Sequence, residues 1–343
     1  MLRKKKLMQI SVIIPVYNAE KYIRKSVESA LQFEEVKEVI LIEDGSPDNS
    51  LSTCVDLCKE FSKVKLFRHP DGKNHGAGAS RNLGLKNASY PFISFLDADD
   101  YFLPNRFDTD KEIFKRHTDA DGVYNAIGMH FYSEESRKYF IKPLTTVNCK
   151  CSPDNLFTGL VGMIHDFGHF HLDGFTLKRS ALLRINSLFN PQLRLHQDTE
   201  FLIRASWYIN LYAGELTIPV ANRGVHSDNR ITKVFAYNEN YYYNRSLLWT
   251  SLYDWGRKEN LPAEKFRYIK RMYMSFKITT LKGIVKWVFI VKSILFDKEL
   301  LINNQYYSQY SSKLFKSLLL KKYFEKLRYY FLRLSEIFHN KIK

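Results

Sequence analysis

Long apolar runs are missing from this 343-residue chain. Crossing a bilayer takes about 20 uncharged residues. The best run, residues 287–291, is closed off by Lys286 and Lys292, so no membrane span is expected. The basic start at residues 1–6 leads into a strand-like run, without the apolar core and small-residue cleavage site of a secretory signal. Cysteine is scarce. Cys54, Cys58, Cys149 and Cys151 stand as CxxxC and CxC in a chain too large to need disulfide staples, which points to a reducing cytoplasm. Their spacing fits no common zinc knuckle, and Cys54 and Cys58 are expected to share a buried helix face. Internal repeats, low-complexity segments and recognised nucleic-acid modules are absent too.

Acidic charge is lacking at one end. Residues 257–343 hold 20 Lys/Arg against 6 Asp/Glu, an excess of 14 within a chain of net charge +16. Such a segment faces nucleic acid, an anionic membrane or solvent. Residues 281–296 set Lys282, Lys286 and Lys292 among Ile284, Val285, Trp287, Val288 and Val291. Residues 316–337 repeat Leu320, Tyr323, Phe324, Leu327, Phe331 and Leu334 at helical spacing. Basic amphipathic helices with Trp and Phe suit a membrane interface, so contact through 281–337 is expected, peripheral on the inner face of the cell membrane. Packing on the rest of the chain, or on a second copy in a homodimer, is the competing arrangement. No nucleic-acid partner is expected.

What is present is a core-forming composition, 45% hydrophobic and 15% aromatic, which rules out global disorder. The first hundred residues alternate strand and helix. Residues 10–16, 39–42, 64–67 and 92–96 are short apolar runs. Between the first two, Ile23, Val27, Ala30 and Leu31 recur at helical spacing, with Asn18 as the expected cap. The next helix is expected to bury Leu51, Val55, Cys58 and Phe61, capped by Ser46 with Pro47. This is the pattern of an α/β fold with a mainly parallel sheet flanked by helices. The expected organisation is 1–228, divided into 1–105 and 106–228, followed by a basic helical region at 229–343.

In open α/β sheets ligands bind beyond the carboxyl ends of the strands. Here Tyr17 and Asn18 follow the first strand, Glu43 and Asp44 end the second, and Asp97, Ala98, Asp99 and Asp100 follow the fourth. Carboxylates this close repel one another unless a cation relieves them; Mg²⁺ or Mn²⁺ shared with substrate phosphates would do so. A solvated turn is the bland alternative. Asp44 can accept from a base edge or a ribose hydroxyl. Residues 73–82 (KNHGAGASRN) form a small-residue loop that departs from GxGxxG, and Arg81 offers a fork of donors.

As an ordered set, residues 11–20 (SVIIPVYNAE), 43–46 (EDGS), 75–84 and 96–100 (LDADD) resemble the nucleotide-binding half of the family 2 inverting glycosyltransferases of GT-A fold, of the bacterial surface-polysaccharide type. Gln197-Asp198 followed by residues 201–204 resembles the place where that family keeps its base. The resemblance implies that Pro15, Tyr17, Asn18, Glu43, Asp44, Arg81, Asp97 and Ala98 hold a nucleotide-sugar donor, a UDP-sugar by preference. It further implies that Asp99 binds Mn²⁺ or Mg²⁺ and that Asp198 deprotonates the hydroxyl of a saccharide or lipid-linked acceptor. Glu43 stands where Asp is usual, and Gln197 where Glu is usual. His226 is a further metal or phosphate ligand in this reading, while His196, Gln197, His171 and Asp100 stand near the acceptor or behind the ligands. For Asp198 the structural alternative is the N-cap of the helix after it. His165, His169 and His171 cluster near Asp166 and Asp173, which invites a second metal, though acceptor contacts or plain hydrogen bonding are the favoured reading. Two other functions compete. A nucleotidyltransferase would need a Gly-rich, Lys-containing phosphate loop after the first strand, which is lacking; a non-catalytic membrane or nucleic-acid adaptor would not need Asp97, Asp99 and Asp198 together.

Overall fold

The computed structural model describes residues 8–137, 144–226 and 239–296. The chain divides into two units, residues 1–236 and 237–343, each described by itself.

The first unit starts with β1 (Ile10–Val16), α1 (Ile23–Leu31), β2 (Val36–Glu43), α2 (Ser50–Glu60), β3 (Val64–Arg68), α3 (Ala77–Asn87) and β4 (Phe92–Phe95). β1 pairs in parallel with β2 and β4, and β2 in parallel with β3. There follow β5 (Tyr101–Phe102), α4 (Asp108–Arg116), β6 (Gly122–Tyr124), β7 (Gly128–Phe131), α5 (Glu134–Arg137), α6 (Pro153–Leu160), β8 (Phe175–Lys178), α7 (Gln197–Tyr208), β9 (Leu211–Ala213) and β10 (Ala221–Val225). The main sheet has seven strands in the order β3-β2-β1-β4-β8-β6-β9. It is mainly parallel, with β8 inserted antiparallel to both β4 and β6. A second sheet, β5-β10-β7, carries the chain away from the end of β4.

Alternate residues of a strand point to opposite faces, and both faces of this sheet are covered. Ile13, Ile40, Ile42 and Phe95 pack on one side with Phe175 and Phe201. Val12, Ile14, Val39 and Leu41 pack on the other with Val27, Cys54 and Leu57. Burial on both faces is why these strands read as unbroken apolar runs. Gly84 lets α3 lie close on β1, since a Cβ there would collide with Ile13.

Several local expectations are corrected. Asn18 does not cap α1: it sits in left-handed backbone (φ 53°), and Tyr22 precedes the helix. Ser46 and Pro47 do not open α2, which starts at Ser50 with Asp48 accepting from the Ser50 N–H (3.1 Å). Its buried face is Ser50, Cys54 and Leu57, while Val55 is exposed. Position 51 and position 55 therefore lie off the face that spacing alone suggested.

A polar network runs through the core. Arg106 is fully buried; it pairs with Asp110 (3.0 Å) and donates to Ser94 Oγ, Phe175 O and Thr176 Oγ1 (2.9–3.1 Å). Asn125 donates to Asp110 (2.8 Å) and to Gly174 O (3.0 Å). A buried charge is tolerated when paired and hydrogen-bonded in this way.

The second unit contains α8 (Glu239–Lys258), α9 (Ala263–Thr280) and α10 (Gly283–Phe296). α8 and α9 lock together through Tyr253, stacked on Tyr273 (4.5 Å) and Phe266 (5.4 Å). Ile290 and Ser293 are the buried side of α10. Its Ile284, Trp287, Val288, Val291 and Leu295 are exposed, Ile284 to 79%, and they share the opposite face at helical spacing. Among the described residues no helix is long and apolar enough to cross a membrane. The expected boundary after residue 228 and the expected helix at 316–337 lie outside the described residues.

Candidate active site

The end of β2 builds one wall. Asp44 is buried, and its two oxygens accept from the N–H groups of His75 and Gly76 (2.8 Å each). Asn74 Nδ2 donates to its carbonyl (3.1 Å). The first task of this carboxylate is thus to hold the 74–76 loop against the sheet. Gly45 (φ 69°) is required between them, because a Cβ would lie 2.9 Å from the backbone of residues 72–74. Glu43 is turned inward: it accepts from Ser46 N–H (2.5 Å) and pairs with Arg68 Nε (2.7 Å). Tyr17 and Asn18 are exposed and Pro15 half-buried, with the Asn18 N–H donating to Ser46 Oγ (3.2 Å).

The end of β4 builds the centre. Arg81, itself buried, donates to Asp97 Oδ1 (2.5 Å). The Asp97 N–H donates to Asp173 Oδ1 (3.1 Å), and His171 Nε2 stands 4.0 Å from Asp97 Oδ2. Asp100 is buried and accepts from the Gly224 N–H (2.8 Å), and Ala98 is buried beside it. Burial, then the neighbouring Asp173, pushes the Asp100 carboxyl well above its usual range. Burial would push Asp173 up as well, but His171 and the Asp100 hydrogen bond hold it well below. Burial alone would lower His171; Asp173 at 3.2 Å raises it instead. His171 Nδ1 also accepts from the Asp173 N–H (3.3 Å), which fixes the ring beside that carboxylate.

Two donor sets could hold a divalent cation. Asp100, His171 and Asp173 have their ligand atoms within 4.8 Å of one another, the one such group among the described residues, and all three are buried. Within this set burial favours the neutral form of Asp100, and His171 favours the ionised form of Asp173. Asp99 Oδ2 and His226 Nε2 lie 3.2 Å apart and are partly open to solvent, with His226 stacked on Tyr22 (4.4 Å). Carboxylate oxygen with one imidazole nitrogen is a donor mix that fits Mn²⁺, and Mg²⁺ where phosphate oxygens complete the shell.

The start of α7 builds the third wall. His196, in left-handed backbone (φ 62°), is the cap, so the N-cap alternative for Asp198 is corrected: Asp198 lies in the first turn. Its Oδ1 accepts from the Thr199 N–H (2.8 Å). Burial would raise its carboxyl, but His171, Arg81 and that N–H outweigh it and hold it below the usual range. Asp198 therefore feels the same two cations that serve Asp97. Gln197 is buried against Gly78, where a Cβ would meet it at 3.3 Å. Asn82 and Phe189 exchange hydrogen bonds (2.8 and 3.0 Å), and Arg194 donates to Asn74 (2.8 Å), pinning residues 189–194 to the start of α3. His165 and His169 are exposed, outside the buried Asp100–His171–Asp173 group. Of the sequence cluster at 165–173 the structure brings His171 and Asp173 together, two residues apart in a His-x-Asp spacing that folds the two side chains onto each other.

Comparison with known proteins agrees with this architecture. Residues 11–164 match the family described as Glycosyl transferase family 2. GgaA of Bacillus subtilis (strain 168), a minor teichoic acid biosynthesis protein, is 32% identical over 203 residues, 56% of this chain and 42% of GgaA. EpsJ of the same organism, an uncharacterized glycosyltransferase, is 26% identical over 200 residues, 57% of this chain and 55% of EpsJ. The chain spans about half the length of these curated relatives. Among solved structures, S. aureus TarS 1–349 in complex with UDP-GlcNAc has a TM-score of 0.55 at 19% identity, covering 79% of this chain and 72% of that one. At that identity the likeness speaks for the fold alone, a mainly parallel α/β sheet flanked by helices. Residues 11–164, within the first unit, thus carry the likeness to glycosyl transferase family 2.

Proposed function

We propose that this chain moves a sugar from a nucleotide-diphosphate donor, a UDP-sugar, to a hydroxyl of a growing glycan or lipid-linked saccharide. The observation that carries this reading is that Asp97, Asp173 and Asp198, from three distant segments, all face His171, with Arg81 acting on Asp97 and Asp198 as well. TarS was solved with UDP-GlcNAc and with UDP, which supports a uridine donor here. Surface polysaccharide is the product class that the teichoic acid protein GgaA suggests.

Asp198, ionised at neutral pH, takes the proton of the acceptor hydroxyl. The hydroxyl oxygen forms a bond to the anomeric carbon as the bond from that carbon to the diphosphate oxygen breaks. The electron pair leaves with the diphosphate, and a single displacement inverts the centre. A divalent ion held by Asp99 and His226, Mn²⁺ or Mg²⁺, would neutralise charge on the departing diphosphate. Asp44 and Tyr17 border the nucleoside, and Arg81 orients Asp97 and opposes the upward push of burial on its carboxyl. The C-terminal unit rests on the cytoplasmic leaflet through α10.

The test is a panel of nucleotide sugars assayed for metal-dependent turnover, with Asp198→Asn alongside. The variant should bind UDP as the parent does and lose at least a hundredfold in rate, the usual share of a general base. Near-full rate would reassign the base, and no UDP binding by the parent chain would end the reading.

A further inference from the structure

α1 and the second sheet bring a row of rings together beside the acidic turn. His226 lies on Tyr22 (4.4 Å), Tyr22 meets Tyr132 (5.3 Å), Tyr132 meets His130 (4.7 Å), and His130 meets Tyr101 (5.7 Å). The row begins at Asp99, through His226, and ends under Lys25, whose Nζ sits 3.6 Å from the Tyr101 centroid and 5.7 Å from that of Tyr132. These side chains come from four places in the chain: the first residues of α1, the residue directly after Asp100, the end of β7 and the end of β10. Gly224 makes the space, because a Cβ there would collide with the Asp99 carbonyl and come within 3.2 Å of the Tyr132 ring.

Core packing does not account for the arrangement. Tyr132 keeps 41% of its surface exposed. Lys25 forms no ion pair with a carboxylate among the described residues, whereas Arg24 beside it pairs with Glu28 and Glu60. An ammonium on a ring face gives one side to the ring and keeps its remaining donors available. Desolvation, then the Lys25 charge, lowers His130, which leaves it a neutral flat ring at physiological pH.

We infer that Lys25, Tyr101, His130 and Tyr132 form a binding platform for an anionic saccharide, the acceptor in the transfer proposed above. The ring faces take the C–H face of a sugar, and Lys25 takes its phosphate or carboxylate. The polarity of the row sets the orientation: the anionic group lies at Lys25, the end away from Asp99, because the carboxylates of the acidic turn repel it. The platform depends on the transfer reading for the name acceptor, but its binding is measured without turnover.

The full chain is titrated by NMR with glucose, glucose 6-phosphate and glucuronate, and by calorimetry with UDP. Both charged sugars, or one of them, should bind more tightly than glucose, and which of them does identifies the anionic group. Lys25→Ala should weaken the charged sugar about fivefold, the size of one exposed ion pair, Lys25→Arg should restore it, and Tyr132→Ala should weaken charged and neutral sugars alike. UDP affinity should stay unchanged throughout. Charged-sugar binding that ignores Lys25→Ala while UDP binding is intact overturns the platform. So does a loss of UDP affinity in Lys25→Ala, which would assign the lysine to the donor. Failure of the parent chain to bind UDP, with the sugar preference intact, sinks the transfer reading and leaves the platform standing.

Discussion

At the scale of single residues the decisive quantity is where each carboxyl keeps its proton. Asp198 is depressed by His171 and Arg81 against the effect of burial. A base with a depressed pKa stays ionised as pH falls through the ordinary carboxylate range near 4. The acidic limb of kcat/KM should therefore lie below about 4, measured at saturating metal. A limb near 6 would point to a histidine as the base. Glu38 gives a stability counterpart. It is buried, which alone would raise its pKa, but Lys65 (2.6 Å), Ser11 Oγ (2.6 Å) and the Ser89 N–H (2.7 Å) lower it. A folded pKa below the unfolded value of about 4.3 means the stabilisation is complete above that pH and is lost as pH falls through the folded pKa. Glu38→Gln should lower the urea midpoint at neutral pH, and the difference from the parent should shrink toward pH 3. An equal deficit at both pH values would show that the carboxylate charge is not what stabilises this position.

At the scale of elements, the strand ends were legible and the links between them were not. A run such as residues 10–16 is apolar because both faces of the sheet are covered, and the polar residues after it mark its carboxyl end. Asp44 and Asp97 could be singled out for that reason, whereas Asp198, in the first turn of α7, was marked only by the family resemblance around residues 197–204. Arg106 could not: nothing local marks an arginine whose partners, Asp110, Ser94, Phe175 and Thr176, come from three elements. The second sheet was equally hidden, because β5, β7 and β10 are too short for a period of two to register. The expected helix faces failed where one residue of phase mattered, as in α2. The hidden network has a consequence for the site. Asn125 ties Asp110 to Gly174, next to Asp173, and accepts from the Glu215 N–H (2.8 Å). Asn125→Ala should cost about 2–3 kcal/mol in the unfolding free energy, since it leaves buried partners unsatisfied. It should also reduce turnover more than UDP affinity, because the turn it releases carries His171 and Asp173. Turnover falling only in proportion to the folded fraction would reduce Asn125 to a stability residue.

At the scale of the whole molecule, chemistry and charge are segregated along the sequence. The family 2 match ends at residue 164, and nearly all the excess positive charge lies beyond residue 256. α10 presents Ile284, Trp287, Val288, Val291 and Leu295 to solvent, with Lys282 and Lys292 also exposed and no acidic residue between positions 283 and 296. An apolar stripe without negative charge gains from a lipid surface in two ways, through burial of side chains and through attraction to anionic headgroups. The two contributions separate by salt. The screening length falls from about 10 Å at 0.1 M to about 3 Å at 1 M, while burial of apolar area persists. The chain should float with vesicles containing anionic lipid, and far less with purely zwitterionic ones. Raising the salt should reduce flotation without abolishing it, and Trp287 fluorescence should shift to the blue on binding. Val288→Asp should remove the salt-resistant part, because it sets a charge in the middle of the stripe. Equal flotation of the parent and Val288→Asp would mean that α10 is not the contact; equal binding to neutral and anionic vesicles would mean that the charge excess serves another partner.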